Sequence, residues 1–269
     1  MGLADVHAHL THPTLAADAD ALVARALAAG VTTIVANGLN PTDNAAVQAL
    51  ARRHPGSVRP AYGFYPVDAV LAELRALGRA YPREGDASTA EDGVAWVRAH
   101  VEEAIAVGEV GLDGHWVPEP LWARQEEVFR TLVAIALEAG KPLIVHTRRR
   151  ERRALEILRE MRAERVCWHC FGGKVSLART IAAATPHCFS IPANARRSES
   201  FTRMLETLPR ERILLETDCP YLGPDRERPN EPANVAATAA YAASLWRVGE
   251  DEVRARLAEN FARLFGVAP

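Results

Sequence analysis

The sequence predicts an α/β protein with the architecture of a TIM-type (β/α)8 barrel, folded as a single domain over residues 1–269. Short β-rich runs alternate with longer helical stretches along the whole chain, which gives eight strands, each followed by a helix. The runs are almost continuously apolar, as is typical of parallel strands buried on both faces. A doubly wound open sheet is the alternative, but no Gly-x-Gly-x-x-Gly motif follows any predicted strand.

The predicted strands are short apolar runs that end at glycine, proline or polar residues. The second strand is representative, because it consists mainly of β-branched residues and ends before Asn37-Gly38. The eight strands cover residues 3–7, 31–36, 58–62, 106–112, 142–146, 165–169, 188–191 and 212–216.

In the predicted helices, apolar residues recur every three or four positions. Leu22, Val23 and Ala26 show this spacing in the first helix, which ends at Gly30. The helices cover residues 18–29, 43–53, 68–80, 90–105, 120–140, 151–161, 174–184, 198–208, 233–246 and 251–265. The polar stretch 82–91 is predicted to be a mobile surface loop.

The composition is that of an ordinary globular protein, with 48% hydrophobic and 25% charged residues. The formal net charge of -2 excludes a global basic field, so any recognition of phosphate must be local.

No apolar run approaches about 18 residues and no secretory signal is visible, so we expect a cytoplasmic protein without a membrane partner. The four cysteines lack a second Cys-x-x-Cys pair for structural zinc, and we expect reduced thiols.

Residues of the metal-ligand type stand where several predicted strands end. In a barrel of this kind, the carboxyl ends of the strands meet at one face, and the catalytic groups lie there. His7 and His9 are two residues apart, so their side chains project to the same face of a strand. The candidates at the ends of the first, fourth, fifth, sixth and eighth strands are His7, His9, Glu109, His146, His169 and Asp218.

Six nitrogen and oxygen ligands exceed what one tetrahedral zinc ion needs, and they suit two divalent ions bridged by Glu109. Glu109 lies within the apolar run 106–112, where a buried carboxylate needs a partner to offset its desolvation. Metal coordination supplies such a partner. The identity of the ions stays open between Zn²⁺, Mn²⁺ and Mg²⁺, although a histidine-rich set fits the first two better.

These motifs resemble those of the TatD-related metal-dependent hydrolases, a branch of the amidohydrolase-like barrels. The resemblance spans nearly the whole chain, in order. The matching segments are Asp5-Val-His7-Ala-His9-Leu, Gly108-Glu109-Val-Gly-Leu-Asp113, Val145-His146-Thr-Arg148, His169-Cys-Phe-Gly172-Gly173, Leu215-Glu216-Thr-Asp218-Cys-Pro220-Tyr-Leu and Asn230-Glu-Pro-Ala-Asn-Val235.

The resemblance implies two metal ions, the first held by His7, His9, Glu109 and Asp218 and the second by Glu109, His146 and His169. It implies a deoxyribonuclease, including trimming of single-stranded DNA, and therefore single-stranded DNA or another phosphodiester as substrate. The chain departs from the family pattern at Thr11-His12, Gly114-His115-Trp116 and Gly172-Gly173. These departures leave the metal ligands unchanged and alter the rim that contacts the substrate.

Metal-assisted hydrolysis is the predicted mechanism, with Asp218 and Glu109 as catalytic residues. Asp218 would bind a metal and accept a proton from the attacking water. Arg148 would stabilise the developing oxyanion. The predicted substrate-binding residues are Arg148, His12, His115 and Arg196. His54 and His187 adjoin prolines at turns and are predicted to be solvated.

Three function classes remain open on the sequence alone. The first is a phosphodiesterase or nuclease. The second is an ester or amide hydrolase with the same metals, a class that includes D-aminoacyl-tRNA deacylation in some TatD-related proteins. The third is a non-catalytic metal-binding scaffold, which is disfavoured because a structural site does not need six converging ligands.

Overall fold

Eight parallel strands form one sheet in which the strand order follows the chain, in a computed structural model that describes residues 1–81 and 88–269. Each strand pairs with the next in parallel register. The strands are β1 (Leu3–Ala8), β2 (Val31–Asn37), β3 (Val58–Tyr62), β4 (Ala106–Asp113), β5 (Leu143–Arg148), β6 (Val166–Trp168), β7 (Cys188–Ile191) and β8 (Ile213–Leu215).

The residues after β8 close the sheet against β1. The amide of Asp218 donates to the carbonyl of His7 at 2.9 Å, and the amide of His9 donates to the carbonyl of Cys219 at 3.0 Å. These two bonds join the last strand segment to the first, so the sheet forms a barrel. The predicted (β/α)8 architecture is confirmed.

Ten α-helices surround the barrel in the described part of the chain, none of them long and apolar enough to cross a membrane. They are α1 (Ala19–Ala28), α2 (Pro41–Arg53), α3 (Leu71–Ala76), α4 (Ala90–His100), α5 (Trp122–Glu138), α6 (Glu151–Glu160), α7 (Val175–Ala184), α8 (Glu199–Thr207), α9 (Val235–Trp246) and α10 (Glu250–Phe265).

Two helices are shorter than their periodicity predicts. A 3-10 turn over Asp68–Val70 precedes α3, and the chain turns soon after that helix at Gly78, whose φ of +67° favours glycine. Helix α4 ends at His100 and continues as a 3-10 turn over Val101–Glu103. Residues 82–87, which hold most of the predicted mobile loop 82–91, lie outside the described residues, and 90–91 begin α4.

One end of the barrel is filled by apolar side chains. Each of the eight strands contributes one buried residue to this layer, namely Val6, Val35, Ala61, Ala106, Ile144, Cys167, Cys188 and Leu214. Phe261, Leu264 and Phe265 from α10 pack against the layer and cover it. Because this end is occupied by hydrophobic core, polar chemistry is confined to the opposite end, where the strands terminate.

The four cysteines all lie among the described residues and are free thiols. Cys167 and Cys188 occupy neighbouring strands of the apolar layer, and Cys219 is also buried. Burial raises the pKa of the Cys188 thiol to about 11, so this thiol stays protonated and packs as a small apolar group. The structure therefore contains no disulfide among these four cysteines.

Candidate metal centre

The six predicted ligands meet at the carboxyl-terminal end of the barrel. His7, Glu109 and His146 lie on β1, β4 and β5, whereas His9 and His169 directly follow β1 and β6. Asp218 lies three residues beyond the end of β8, in the left-handed region with a φ of +53°. Five different strands therefore direct these side chains to one point.

Glu109 is the centre of the cluster, because its two carboxylate oxygens face different pairs of histidines. Its Oε2 lies 3.4 Å from Nε2 of both His7 and His9. Its Oε1 lies 3.0 Å from Nδ1 of His146 and 3.9 Å from Nε2 of His169. Burial would raise the pKa of Glu109, but hydrogen bonds with His146, His7 and His9 hold it well below its usual range.

Asp218 is the second carboxylate of the cluster. Its Oδ1 lies 3.5 Å from Nε2 of His9, 3.7 Å from Nε2 of His7 and 4.0 Å from Nε2 of His169. Burial would raise the pKa of Asp218, but the nearby His169 and the contact with His9 lower it. A charged carboxylate thus lies between the histidines of the two groups around Glu109.

Close packing of backbones around Glu109 requires glycine at two positions. A Cβ atom on Gly63 would lie 2.4 Å from the amide nitrogen of Glu109. A Cβ atom on Gly111 would lie 1.9 Å from the carbonyl oxygen of His146, and Gly111 has a φ of +147°. These glycines allow β3 and β5 to approach β4, which brings Glu109 and His146 into contact.

Two carboxylates outside the predicted ligand set hold histidines of the cluster. Asp113 Oδ2 lies 3.1 Å from Nε2 of His146, whose Nδ1 faces Glu109. Glu216 Oε2 lies 2.9 Å from Nδ1 of His169, whose Nε2 faces Glu109. Both acids are visible in the sequence as strand-end residues within the motifs Gly-Leu-Asp and Glu-Thr-Asp. Their roles are not visible in the sequence, because an acid that orients a histidine and an acid that binds a metal occupy similar sequence positions.

His9 is held in the same way, by a backbone carbonyl. Its Nδ1 lies 3.1 Å from the carbonyl oxygen of Asn37 at the end of β2, and its Nε2 faces the cluster. Three of the four histidines therefore have one ring nitrogen bonded to an acceptor and the other aimed at Glu109. Metal-ligating histidines are oriented in this manner, so the residues fit a metal centre.

Two further buried polar atoms lie behind the cluster. Nδ1 of His7 and Oε1 of Glu216 are buried, and neither has a hydrogen-bond partner in the described part of the chain. His7, His169 and Glu216 offer ligand-type atoms within 4.8 Å of one another, and the rings of His7 and His169 stack with centroids 3.5 Å apart. Glu216 is thus placed to influence both imidazoles.

The pKa values of two histidines reflect this concentration of acids. Burial would lower the pKa of His9, but hydrogen bonds to Asp218 and Glu109 raise it to about 10. Burial would also lower the pKa of His146, but hydrogen bonds to Asp113 and Glu109 raise it to about 9. The carboxylates thus favour positive charge at the positions where the ring nitrogens converge, and a divalent cation supplies such charge.

Asp5 connects the cluster to the barrel closure. It is fully buried, and its carboxyl group accepts hydrogen bonds from the amide of Thr217 at 2.9 Å, from the Thr217 hydroxyl and from the amide of His7 at 3.2 Å. Burial raises the pKa of Asp5 to about 8. Asp5 therefore fixes the segment before Asp218 relative to β1, which is a positioning role that the sequence motif did not reveal.

A cavity of about 580 Å³ opens onto the cluster. Four aromatic residues line it, namely Tyr65, Tyr81, Trp116 and Tyr221. Arg148 and His12, both predicted to bind substrate, also line the cavity. His12 Nδ1 accepts a hydrogen bond from the amide of Thr14, and its Nε2 lies 3.1 Å from the Tyr221 hydroxyl.

The other two predicted substrate-binding residues do not line this cavity. The Arg196 guanidinium lies 5.8 Å from the ring centroid of Tyr241 on α9. The His115 ring contacts Trp116, with centroids 4.8 Å apart, and His115 Nδ1 is buried. A position close to a strand end in the sequence therefore does not suffice to place a side chain in the cavity, because these two side chains contact neighbours within their own surroundings.

The prediction that His54 and His187 are solvated is wrong for His187, which is 1% exposed. Its Nδ1 accepts a hydrogen bond from Trp168 Nε1 at 3.0 Å, and its Nε2 donates to the carbonyl of Ala163 at 2.8 Å. The adjoining proline does not expose this side chain, because the ring fills the space beneath Trp168. His54 is partly exposed and lies 2.6 Å from an oxygen of Asp20.

Comparison with known proteins identifies the family. The sequence profile described as TatD related DNase matches residues 4–266. The chain belongs to this family. Among TatD-related proteins, the uncharacterized metal-dependent hydrolase YabD of Bacillus subtilis is 32% identical over 274 residues, which cover 98% of this chain and 99% of YabD.

Another TatD-related protein, the deoxyribonuclease TATDN3 of Homo sapiens, is 30% identical over 278 residues, which cover 98% of this chain and 95% of TATDN3. The crystal structure of YJJV, the TatD homolog from Escherichia coli K12, superposes with a TM-score of 0.82 at 24% identity and covers 98% of both chains. The superposition supports the barrel fold. The family assignment confirms the resemblance carried by the motifs and makes the chain a metal-dependent hydrolase.

Proposed function

We propose that this TatD-related hydrolase is a deoxyribonuclease that cleaves phosphodiester bonds in single-stranded DNA with two divalent metal ions. The observation that carries the proposal is the position of the Glu109 carboxylate. Its two oxygens face separate pairs of histidines at 3.0–3.9 Å. A carboxylate placed in this way suits a bridge between two ions. When bound, the ions supply Lewis acidity and lower the pKa of water.

Two sets of residues would hold the ions, and Glu109 belongs to both. The first set would be His7, His9, Glu109 and Asp218, and the second would be Glu109, His146 and His169. Four imidazoles and two carboxylates favour Zn²⁺ or Mn²⁺, whereas Mg²⁺ usually keeps more oxygen and water ligands. Elemental analysis of the purified protein tests both the number and the identity of the ions.

Asp218 is the proposed general base. It is the cluster carboxylate that lines the cavity from beyond the strand ends, and the histidines lower its pKa, so it is ionised at neutral pH. An ionised carboxylate next to the reacting centre can accept the proton of the attacking water. Glu109 would act in catalysis by holding the ions together with the four histidines.

Arg148 is the proposed phosphate-binding residue. It ends β5 two residues after His146, its side chain is exposed and lines the cavity, and it has no ion-pair partner within residues 1–81 and 88–269. A guanidinium group binds phosphate oxygens in a bidentate manner. The aromatic lining of the cavity provides stacking surfaces for unpaired bases, which supports a single-stranded substrate.

The state of the cysteines suggests the cellular compartment of the protein. Four free thiols, three of them buried, suit a protein that folds and acts in a reducing environment. We therefore propose a cytoplasmic location, which fractionation of cells expressing the chain would test.

Cleavage of labelled single-stranded DNA tests the proposed function. We expect cleavage with added Mn²⁺, Zn²⁺ or Mg²⁺ and none after chelation. Asp218→Asn should lower kcat by about 10²–10⁴-fold, because the base is removed while the shape of the side chain is kept. Asp251→Asn, at an exposed position of α10, is the matched control.

Two outcomes would contradict the proposal. The first is an Asp218→Asn protein that cleaves DNA at the rate of the control. The second is a metal-loaded protein that leaves DNA intact but hydrolyses members of a panel of carboxylic esters, which would favour the ester-hydrolase alternative.

A further inference from the structure

A second groove adjoins the cavity of the metal centre, between the loop after β7 and the loop after β8. We define the arginine groove by Asn194, Arg197, Gly223, Arg226 and Arg228. We propose that it binds the nucleotide next to the scissile phosphate in a DNA strand, so that the strand leaves the metal centre on this side. This inference rests on the proposed function and names the part of the chain that recognises a polymer.

The groove and the cavity share a wall. Tyr221 and Leu222 line both of them, and Asp218 is only three residues before Tyr221. The groove has a volume of about 370 Å³, which is at the lower end of ligand-binding pockets and suits one small group such as a nucleotide. A DNA strand bound at Asp218 would therefore reach the groove by passing Tyr221.

Three guanidinium groups line the groove together with one carboxylate, that of Asp225, so the groove is positively charged on balance. Arg197 is fixed, because its Nη2 donates to the carbonyl of Gly223. Arg228 has a side chain that is 86% exposed, and its Nε lies 4.0 Å from Asp225. Arg226 is exposed and makes no ion pair with any described residue. In a chain with a net charge of -2, this is a local basic feature that suits a phosphodiester.

Asn194 makes the groove suitable for a nucleotide and not only for an anion. Its Oδ1 is buried and has no hydrogen-bond partner among residues 1–81 and 88–269. A buried acceptor without a donor is costly, and a bound N–H or O–H group would satisfy it. Every nucleobase carries N–H donors, so a nucleotide offers both a phosphate for the arginines and a donor for Asn194.

The groove is held at a fixed distance from the metal centre. The side-chain amide of Asn230 donates to the carbonyls of Thr217 and Tyr221, each at 2.7 Å. The backbone amide of Asn230 also donates to the carbonyl of Pro220 at 2.9 Å. These bonds connect the loop that carries Arg226 to the segment that carries Asp218, so a strand can engage both at once.

Removal of one guanidinium tests the proposal through the difference between a polymer and a small substrate. The variant is Arg226→Gln, and the two substrates are a labelled single-stranded DNA oligonucleotide and bis(p-nitrophenyl) phosphate, which has no neighbouring nucleotide. We expect the ratio of kcat/KM for DNA to kcat/KM for the small diester to fall roughly three- to tenfold. The plot of log kcat/KM for DNA against log salt should become shallower by about 0.7, the value for one phosphate contact on a single strand.

Two further variants complete the experiment. Arg179→Gln removes an exposed arginine of α7 and should leave both the ratio and the salt slope at their wild-type values. Arg226→Lys keeps the charge and should retain the salt slope. A ratio in Arg226→Gln equal to that in Arg179→Gln overturns the inference while the proposed function stands. If the wild-type protein cleaves neither substrate, the proposed function is overturned, and this inference with it.

Discussion

Glu109 shows how single residues form this site. A buried carboxylate without partners would be strongly destabilising, and Glu109 is 2% exposed. Four imidazoles surround it, and three of these are in turn oriented by acceptors that Asn37, Asp113 and Glu216 supply. The polar groups of the cluster therefore form two layers, and the acceptors of the outer layer orient the histidines of the inner layer.

Replacement of Glu216 tests the outer layer. Glu216→Gln keeps a hydrogen-bond acceptor for His169 but removes the negative charge, so we expect metal affinity to fall roughly 10–100-fold. Competition with a chromophoric chelator measures this affinity. Glu199→Gln, on α8 and with a side chain that is 84% exposed, is the control. An unchanged affinity in Glu216→Gln would show that the carboxylate charge has no influence on the ligand.

His187 gives a residue-level prediction for acid stability. Burial lowers its pKa to about 4, whereas the unfolded chain has a histidine pKa near 6.5. Between these values the unfolded state binds the extra proton, so stability decreases as the pH falls from about 6.5 to about 4. The slope from this one group approaches ~1.4 kcal/mol per pH unit.

Urea unfolding between pH 7.5 and pH 4 measures this effect. The His187→Gln variant should be less stable at neutral pH, since a buried ring and its hydrogen bonds are lost, but its stability should depend less on pH than that of the wild type. The comparison isolates His187, because all other titrating groups are common to the two proteins. Parallel curves for the two proteins would contradict the prediction.

At the scale of elements, the position of β4 between β3 and β5 decides whether the site forms. Gly63 and Gly111 permit backbone contacts that no side chain allows, and both flank Glu109 in space. The spacing of β3, β4 and β5 therefore contributes to the distances within the candidate metal centre.

A pair of glycine substitutions tests this role of strand spacing. Gly111→Ala should destabilise the protein by about 3 kcal/mol or more, because its Cβ overlaps the His146 carbonyl. Gly140→Ala also replaces a glycine of positive φ, at +62°, but meets nothing within 4 Å, so about 1–2 kcal/mol is expected. Chemical unfolding compares them. Equal losses of unfolding free energy in the two variants would mean that the positive φ, and not the overlap with the His146 carbonyl, causes the destabilisation.

At the scale of the whole molecule, the barrel separates stability from chemistry. One end holds an apolar layer of eight strand residues covered by α10, and the other holds the buried histidines and carboxylates. Concentrated charge at the second end is tolerated because the first end and the helix layer provide the core. Since the proposed metal ligands come from five strand ends, an ion bound to them would link most of the barrel.

Metal loading should therefore stabilise the entire fold. At a free ion concentration one hundred times Kd, binding contributes about 2.7 kcal/mol, or a rise in Tm of roughly 5–10 °C for a chain of this size. Calorimetry with and without chelator measures it. The rise should be larger at pH 8 than at pH 6, because the imidazoles must be deprotonated to bind. An equal rise in Glu109→Gln would contradict binding at this cluster.

The sequence by itself predicted the eight strands, the barrel and the six residues that meet at its end. Apolar strand runs and ligand-type residues at their ends are local features, and parallel topology converts strand ends into neighbours. For this reason the positions of the motifs alone place His7 and His169 together, although they lie far apart in the chain.

Only the tertiary structure decided how the surrounding residues are used. It assigned Asp113 and Glu216 to the support of histidines, buried His187 under Trp168, and placed Arg196 beside Tyr241, outside the lining of the cavity. Each outcome depends on where a loop directs a side chain and on which atoms it meets there. Such contacts join residues distant in sequence, and no local pattern of apolar or charged residues contains them.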